Sequence, residues 1–203
     1  MLTRSLLLSL LILTLGNARA DENLSRSLEN PKTREAALSL ARDTLRQFFR
    51  NGKPITQPSN LPTVFKSRAG IIVTIEKKGR VAPRGCRGTL QPVYKNLAEE
   101  IIHNALAAAT RDAREEKLRE SELAECRISL TIILSLKPIQ SLSQHDATRC
   151  GLIAKNGTRI GLVLPYEGKD SATQWEWARR KAGLAADEKA EMLEVEAVRF
   201  KEK

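Results

Sequence analysis

Asn156-Gly157 lies between two β-rich runs, "GLIAK" before it and "TRIGLVLP" after it, and limits the fold more than any other pair in the chain. An Asn-Gly pair tolerates the left-handed angles of a two-residue hairpin loop, and so short a loop joins only antiparallel strands. The register this predicts sets Ile153 opposite Ile160 and Gly151 opposite Leu162, with their side chains on one face. Asn156-Gly157-Thr158 also matches a glycosylation acceptor. The hairpin accounts for the same residues, and the pattern recurs by chance-like spacing at Asn23-Leu24-Ser25.

Other segments alternate in the same way. Ile71, Val73 and Ile75 share one face of a strand whose opposite face carries Ile72, which predicts a strand covered on both sides. Cys126, Ile128, Leu130, Ile132 and Leu134 point one way along another strand, and Leu193, Val195 and Ala197 along a last one with a wet opposite face.

Three stretches repeat at helical spacing. Residues 33–50 carry Ala37, Leu38, Ala41, Leu45, Phe48 and Phe49 and stop at Asn51-Gly52. Residues 96–111 bury Leu97, Ile101, Ala105 and Ala108, with Glu99, Glu100 and His103 on or near the wet side. The third begins at Ser171, with Gln174 completing a capping box, and ends at Gly183. Its Trp175 and Trp177 are two apart and cannot share a face, which predicts one in the core and one partly exposed. Strands and helices mix without strict alternation, so the expected class is α+β with a mixed, mostly antiparallel sheet flanked by helices.

The chain of 203 residues opens with Arg4, an apolar run from Leu6 to Leu15, and Ala18-Arg19-Ala20 before Asp21. That is the layout of a secretory signal peptide over residues 1–20, cleaved after Ala20, with a retained anchor as the rival reading. The apolar run falls short of the roughly 20 residues that a membrane span needs. The protein is therefore expected to be exported, to the periplasm or the medium. Residues 21–32 are polar and aperiodic and are expected to be a flexible lead-in, leaving one domain over residues 33–203. The formal charge is +10 and falls to +8 without Arg4 and Arg19. Lys and Arg are interleaved with Asp and Glu, and aromatics are only 4% of residues. A solvated basic surface fits this better than a nucleic-acid interface, and export argues further against one. Two histidines and three cysteines with no CxxC exclude a structural zinc site.

The stretch "PRGCRGTL" carries the chemistry. Gly85 and Gly88 flank Cys86, and glycine permits a tight bend, a bulge or the close approach of another element. Arg84 and Arg87 bring positive charge, which favours a thiolate, the reactive form of cysteine. One reading is a nucleophile, a redox thiol or an anion-binding turn. The other is a strand that packs a small cysteine and uses its glycines to pass a neighbour.

"RGCRGTL" is similar to the hallmark LRGCIGT of the AMMECR family. "NLAEEIIHNALAAATRDAR" resembles that family's helix ending in A-x-x-D-x-R, "SELAECRISLTIIL" its E-E-L and following strand, and "GLIAKNGTRIGLVLP" its hairpin ending G-L-L-L-P. "KAGL" closes the next helix as it does there, and the motifs keep their order from about Thr33 to Phe200. The resemblance implies a single α+β domain of two lobes with a cleft, near which the cysteine and D-x-R segments lie. Its site positions here are Arg84, Gly85, Cys86, Gly88, Thr89, Asp112 and Arg114. It implies no settled reaction, cofactor or metal. Microbial members are linked with a Memo-like protein and a radical-SAM protein, from which an exported copy would be separated. Departures are Pro83 and Arg87 inside the hallmark, Glu115-Glu116-Lys117 after Arg114, Cys150 before "GLI", and Tyr166 where Gln or Glu is common.

Two functions follow: an enzyme using Cys86 as nucleophile or redox thiol, or a binding module for an anionic ligand, peptide or protein partner. Further expectations attach to single residues. Cys126 packs in the core, Cys150 can pair with Cys86, and His145 can serve Cys86 as a base. His103 forms a helical ion pair with Glu99 or Glu100. Asp112, ill-placed for a helix C-terminus, pairs with Arg84 or Arg87.

Overall fold

The computed structural model describes residues 22–185 and 187–203, and the expected leader over residues 1–20 lies outside them. Its sheet has six strands: β1 (Ile71–Lys77), β2 (Gly85–Thr89), β3 (Cys126–Ile139), β4 (Cys150–Asn156), β5 (Arg159–Val163) and β6 (Glu191–Lys201). Their spatial order is β2-β1-β3-β6-β4-β5, and every pairing is antiparallel. The α+β class therefore holds, without the parallel component that a mixed sheet would have.

Four α-helices are described: α1 (Glu22–Glu29), α2 (Pro31–Asn51), α3 (Leu97–Thr110) and α4 (Ser171–Lys181). Register assigns them all to one face. Ile71, Val73 and Ile75 of β1, with Ile128, Leu130 and Ile132 of β3, pack under α1, α2 and α3 as the main core. Ala154 and Val163 pack under α4 with Ala178. The opposite face carries Ile72, Ile133, Ile153 and Val195, joined by Cys86, Leu90, Leu162 and Leu164. Among the described residues no helix covers that face. The sheet is curled. Tyr166, just past edge strand β5, hydrogen-bonds across it to Thr131 of β3.

The hairpin forms, but its register differs from the expected one. Asn156 pairs with Arg159, so the loop is Gly157-Thr158 and Ile153 faces Leu162. Only Gly157 takes a positive φ (59°), the arrangement of a turn with glycine first. Asn156 remains in the ladder because its amide donates to Glu188 Oε1 and the Lys189 carbonyl, both at 3.0 Å. Ile160 is left exposed.

The expected flexible lead-in is mostly helix α1, whose Leu24 and Leu28 are buried in the main core. Two leucines four apart make one apolar contact line, too short a repeat to register as periodicity against a polar background. α4 is capped by Asp170, which accepts from the Thr173 N–H at 2.8 Å, rather than by Ser171. Gln174 is fully buried elsewhere. Both Trp175 and Trp177 are half-buried against the α4 cluster.

Glu100 is the largest departure in α3. Expected near water, it is fully buried. Its carboxylate accepts from the N–H of Val93 and of Tyr94 (2.6 Å), from Thr89 Oγ1 (2.8 Å) and from Asn104 Nδ2 (3.0 Å). A buried carboxylate needs such donors, and here they fix the loop before α3 onto β2. His103 stacks on Tyr94, ring centroids 4.0 Å apart, instead of pairing with a glutamate.

Candidate functional site: a thiol on the helix-free face

Strand β2 runs regularly through the "GCRGT" motif, and neither Gly85 nor Gly88 has a positive φ. These glycines serve close approach, not a bend or bulge. A Cβ on Gly85 would lie 2.1 Å from the Ala108 carbonyl oxygen of α3, and one on Gly88 2.3 Å from the Ile71 oxygen of β1. The bare Gly85 lets α3 press on β2 and the bare Gly88 lets β1 lie close, while alternation puts Cys86 on the face opposite α3, the concave one.

There Cys86 is half-buried, opposite Thr74, with its sulfur 3.4 Å from Thr74 Oγ1. Its backbone N–H donates to Asp112 Oδ2 at 2.9 Å. Asp112 thus fills the place where a further strand's carbonyl would pair with the β2 edge. Arg114 donates to the same carboxylate from Nε (2.9 Å) and Nη2 (2.7 Å), and its N–H adds a bond at 3.1 Å. Those bonds hold the Asp112 carboxyl well below the usual carboxylate range and raise the guanidinium further. Cys86 and Arg114 line the same groove.

Asp112 therefore pairs with Arg114, not with Arg84 or Arg87. Arg84 leaves the site entirely. It is buried, donating to Glu122 from Nε (3.0 Å) and Nη2 (2.8 Å) and to the Glu116 carbonyl from Nη1 (2.7 Å). Its guanidinium, ahead of other donors, lowers Glu122 to about 2. Arg87 is exposed at the β2 edge, on the face opposite Cys86 by strand alternation. Thr89 binds Glu100 and is equally structural. Of the expected site positions, Cys86, Asp112 and Arg114 converge, the two glycines shape the support, and Arg84 and Thr89 hold neighbouring elements.

The remaining expectations place side chains on the helical face. Cys126 is buried in the main core, as expected. Cys150 falls on the helix side by alternation, so it does not pair with Cys86, and all three thiols are free. Burial, with Glu194 and Glu196 nearby, pushes the Cys150 thiol up to about 11. His145 is buried beneath α4, with Nδ1 2.9 Å from Glu194 Oε2 and Nε2 2.7 Å from Gln174 Oε1. It is a tie between β6 and α4 and no base for Cys86.

Sequence reasoning missed the residues that face Cys86 from the other half of the curl. Tyr166 shares a hydrogen bond of 3.1 Å with Thr131, and the Arg199 guanidinium lies 4.7 Å from its ring centroid. Arg199 donates to Glu76 and to Ser129 Oγ (3.1 Å). Burial raises the Tyr166 phenol, which keeps it an O–H group at neutral pH. Only the oddity of Tyr166 after "GLVLP" signalled this set. A groove of about 1490 Å³ runs past Cys86, Thr74, Arg114, Tyr166 and Arg199 and continues around the end of the sheet to Arg42 and Glu202. Among the described residues no His, Cys, Asp and Glu cluster suits a metal ion, and no helix is long and apolar enough to cross a membrane.

The architecture so defined is a single helix-backed, curled antiparallel sheet that presents one thiol in a groove on its open face. This chain belongs to the AMMECR1 family, whose profile matches residues 38–203. It is 36% identical over 161 residues to a Thermotoga maritima protein, covering 77% of this chain and 92% of that one. A Methanothermobacter thermautotrophicus protein is 33% identical over 164 residues, covering 74% and 82%. The crystal structure of the uncharacterized protein PH0010 from Pyrococcus horikoshii superposes with a TM-score of 0.79 at 25% identity, over 86% of this chain and 93% of that one.

Proposed function

We propose that this protein is an enzyme whose reacting group is the Cys86 thiol, which adds to an electrophilic carbon of a ligand held in the groove. One observation carries the reading. Of three free thiols, Cys86 is the one on the open face, its backbone pinned by Asp112 and its sulfur 3.4 Å from Thr74 Oγ1 in the groove that Arg114 also lines. As the sulfur bonds to the carbon, its proton leaves for water. Asp112 and Arg114 position the thiol. Tyr166, a neutral O–H donor across the groove, is placed to hydrogen-bond an oxygen of the ligand.

A second reading is favoured by the histidines: neither reaches Cys86, so no imidazole base serves it. On that reading the groove binds a ligand and Cys86 is a contact. The test is the alkylation rate of Cys86 by iodoacetamide in the folded protein against the same residue in urea. The enzyme reading expects at least tenfold faster labelling when folded, lost in Cys86→Ser. Labelling slower than in the unfolded chain leaves the binding reading.

A further inference from the structure

On the concave face the strands bring side chains of known register into rows. Cys86, Thr74, Ser129 and Lys201 form one row across β2, β1, β3 and β6. Arg127 lies two residues along β3 from Ser129, opposite Glu76, and Lys78 follows β1 at the same end. Arg127 and Lys201 are therefore diagonal neighbours, with Cα atoms about 7–8 Å apart, and Lys201 is about 14 Å from Cys86 at the usual strand spacing.

The charges of this end do not cancel. Arg199 is matched by Glu76, Lys77 by Glu122 and Glu125, and Arg42 by Glu202. Among the described residues Lys78, Arg127 and Lys201 are exposed and make no ion pair, although Glu76, already paired with Arg199, stands opposite Arg127; Lys78 and Arg127 line the groove, Lys201 lies beside it, and Glu120 is the unmatched acid in the lining. Like charges directly opposite on paired strands destabilise a sheet, and diagonal ones such as Arg127 and Lys201 repel at longer range. Nothing in the fold needs three cations here, and an anion bound between them would relieve their repulsion.

We propose that the open end of the concave face, with Arg127, Lys201 and Lys78 as its cations, binds the phosphate or diphosphate group of a small-molecule ligand. This rests on the reading that the ligand reacts at Cys86. Two or more uncompensated cations suit a dianion better than a single carboxylate. Thr74 and the Glu76–Arg199 pair line the stretch between the anion and the thiol, so the reacting carbon lies several bonds from the phosphate. Arg127 and Lys201 bind and orient the ligand, and they take no part in the chemistry at sulfur.

The test is calorimetric titration of the full chain with inorganic pyrophosphate, then competition with glycerol 3-phosphate. Millimolar or tighter binding is expected, displaced by the phosphoester and weakened by added salt. Arg127→Ala with Lys201→Ala should weaken it at least tenfold at unchanged melting temperature, and Cys86→Ser should leave it unchanged. Wild-type protein that ignores pyrophosphate, or a double variant that binds as well as wild type, overturns the proposal. So does binding of single-stranded RNA or anionic vesicles without binding of either phosphate. Intact pyrophosphate binding with an unreactive Cys86 keeps the anion site and removes the proposed nucleophile, so the two failures are separable.

Discussion

At the scale of single residues, arginine position decides more than arginine presence. Arg84 stands beside Cys86 in the chain, yet its guanidinium is spent on Glu122 and on the Glu116 and Lys117 carbonyls. That pair has a pH signature. Glu122 is lowered to about 2 in the folded protein, chiefly by its hydrogen bonds from Arg84, against about 4.3 for a free glutamate. The stabilisation is complete above about pH 5 and is lost as pH falls toward 2. Glu122→Gln should lower the melting temperature at pH 7 and flatten its decline between pH 5 and 2, read by circular dichroism against wild type. An unchanged acid limb would place the titrating groups elsewhere. The thiols offer a second test at this scale. Cys150 is pushed up to about 11 and Cys126 is raised by burial, so at pH 7.5 both should be modified more slowly than Cys86 in native protein. Mass spectrometry after timed alkylation measures the order directly.

At the scale of elements, close approach of backbones replaces side-chain packing at two places, β2 against α3 and β5 against α4. A Cβ on Gly161 would sit 1.9 Å from the Ala178 carbonyl oxygen of α4. Gly161→Ala should therefore destabilise by at least about 2 kcal/mol, measured by urea unfolding, because neither backbone can retreat without breaking its own ladder. α3 is bound to the sheet a second way, through Glu100. Removing that carboxylate in Glu100→Ala leaves two backbone N–H groups and two side-chain donors without their acceptor, and about 3 kcal/mol should be lost. Much at this scale was legible in the sequence. The apolar alternation of β1 and β3 and the stripe of α3 came from spacing that reports burial directly. Glu100 was misplaced because a buried charge is chosen by its donors, and those come from residues 89–104 folded together. The hairpin register slipped because a distant acceptor, Lys189 with Glu188, holds Asn156 in the ladder. The site was legible in part: motif order led to Cys86, Asp112 and Arg114. The set of Tyr166, Thr131, Arg199 and Glu76 exists only once the sheet curls.

At the scale of the molecule, both ends of the described chain close the same core. Glu202 accepts from Arg42 Nε at 2.9 Å and from the Ile128 N–H at 2.7 Å, locking β6 beside β3 under α2. α1 packs its Leu24 and Leu28 with α2 and the segment around Phe65. Burial of two leucines is a large share of a domain's stability. Leu24→Ala with Leu28→Ala should cost about 4–6 kcal/mol, enough to leave many domains partly unfolded. The proposed export of the protein is tied to this figure. Cleavage after Ala20 would leave α1 whole, whereas cleavage one or two turns later would remove Leu24 and then Leu28 from the core. N-terminal sequencing of protein recovered outside the cytoplasm should therefore read Asp21-Glu22-Asn23, and its urea midpoint should match that of a chain begun at Asp21. Recovered protein that starts beyond Leu28 with the same midpoint would show that α1 contributes nothing to the fold, and a protein retaining Met1 would replace cleavage by anchoring.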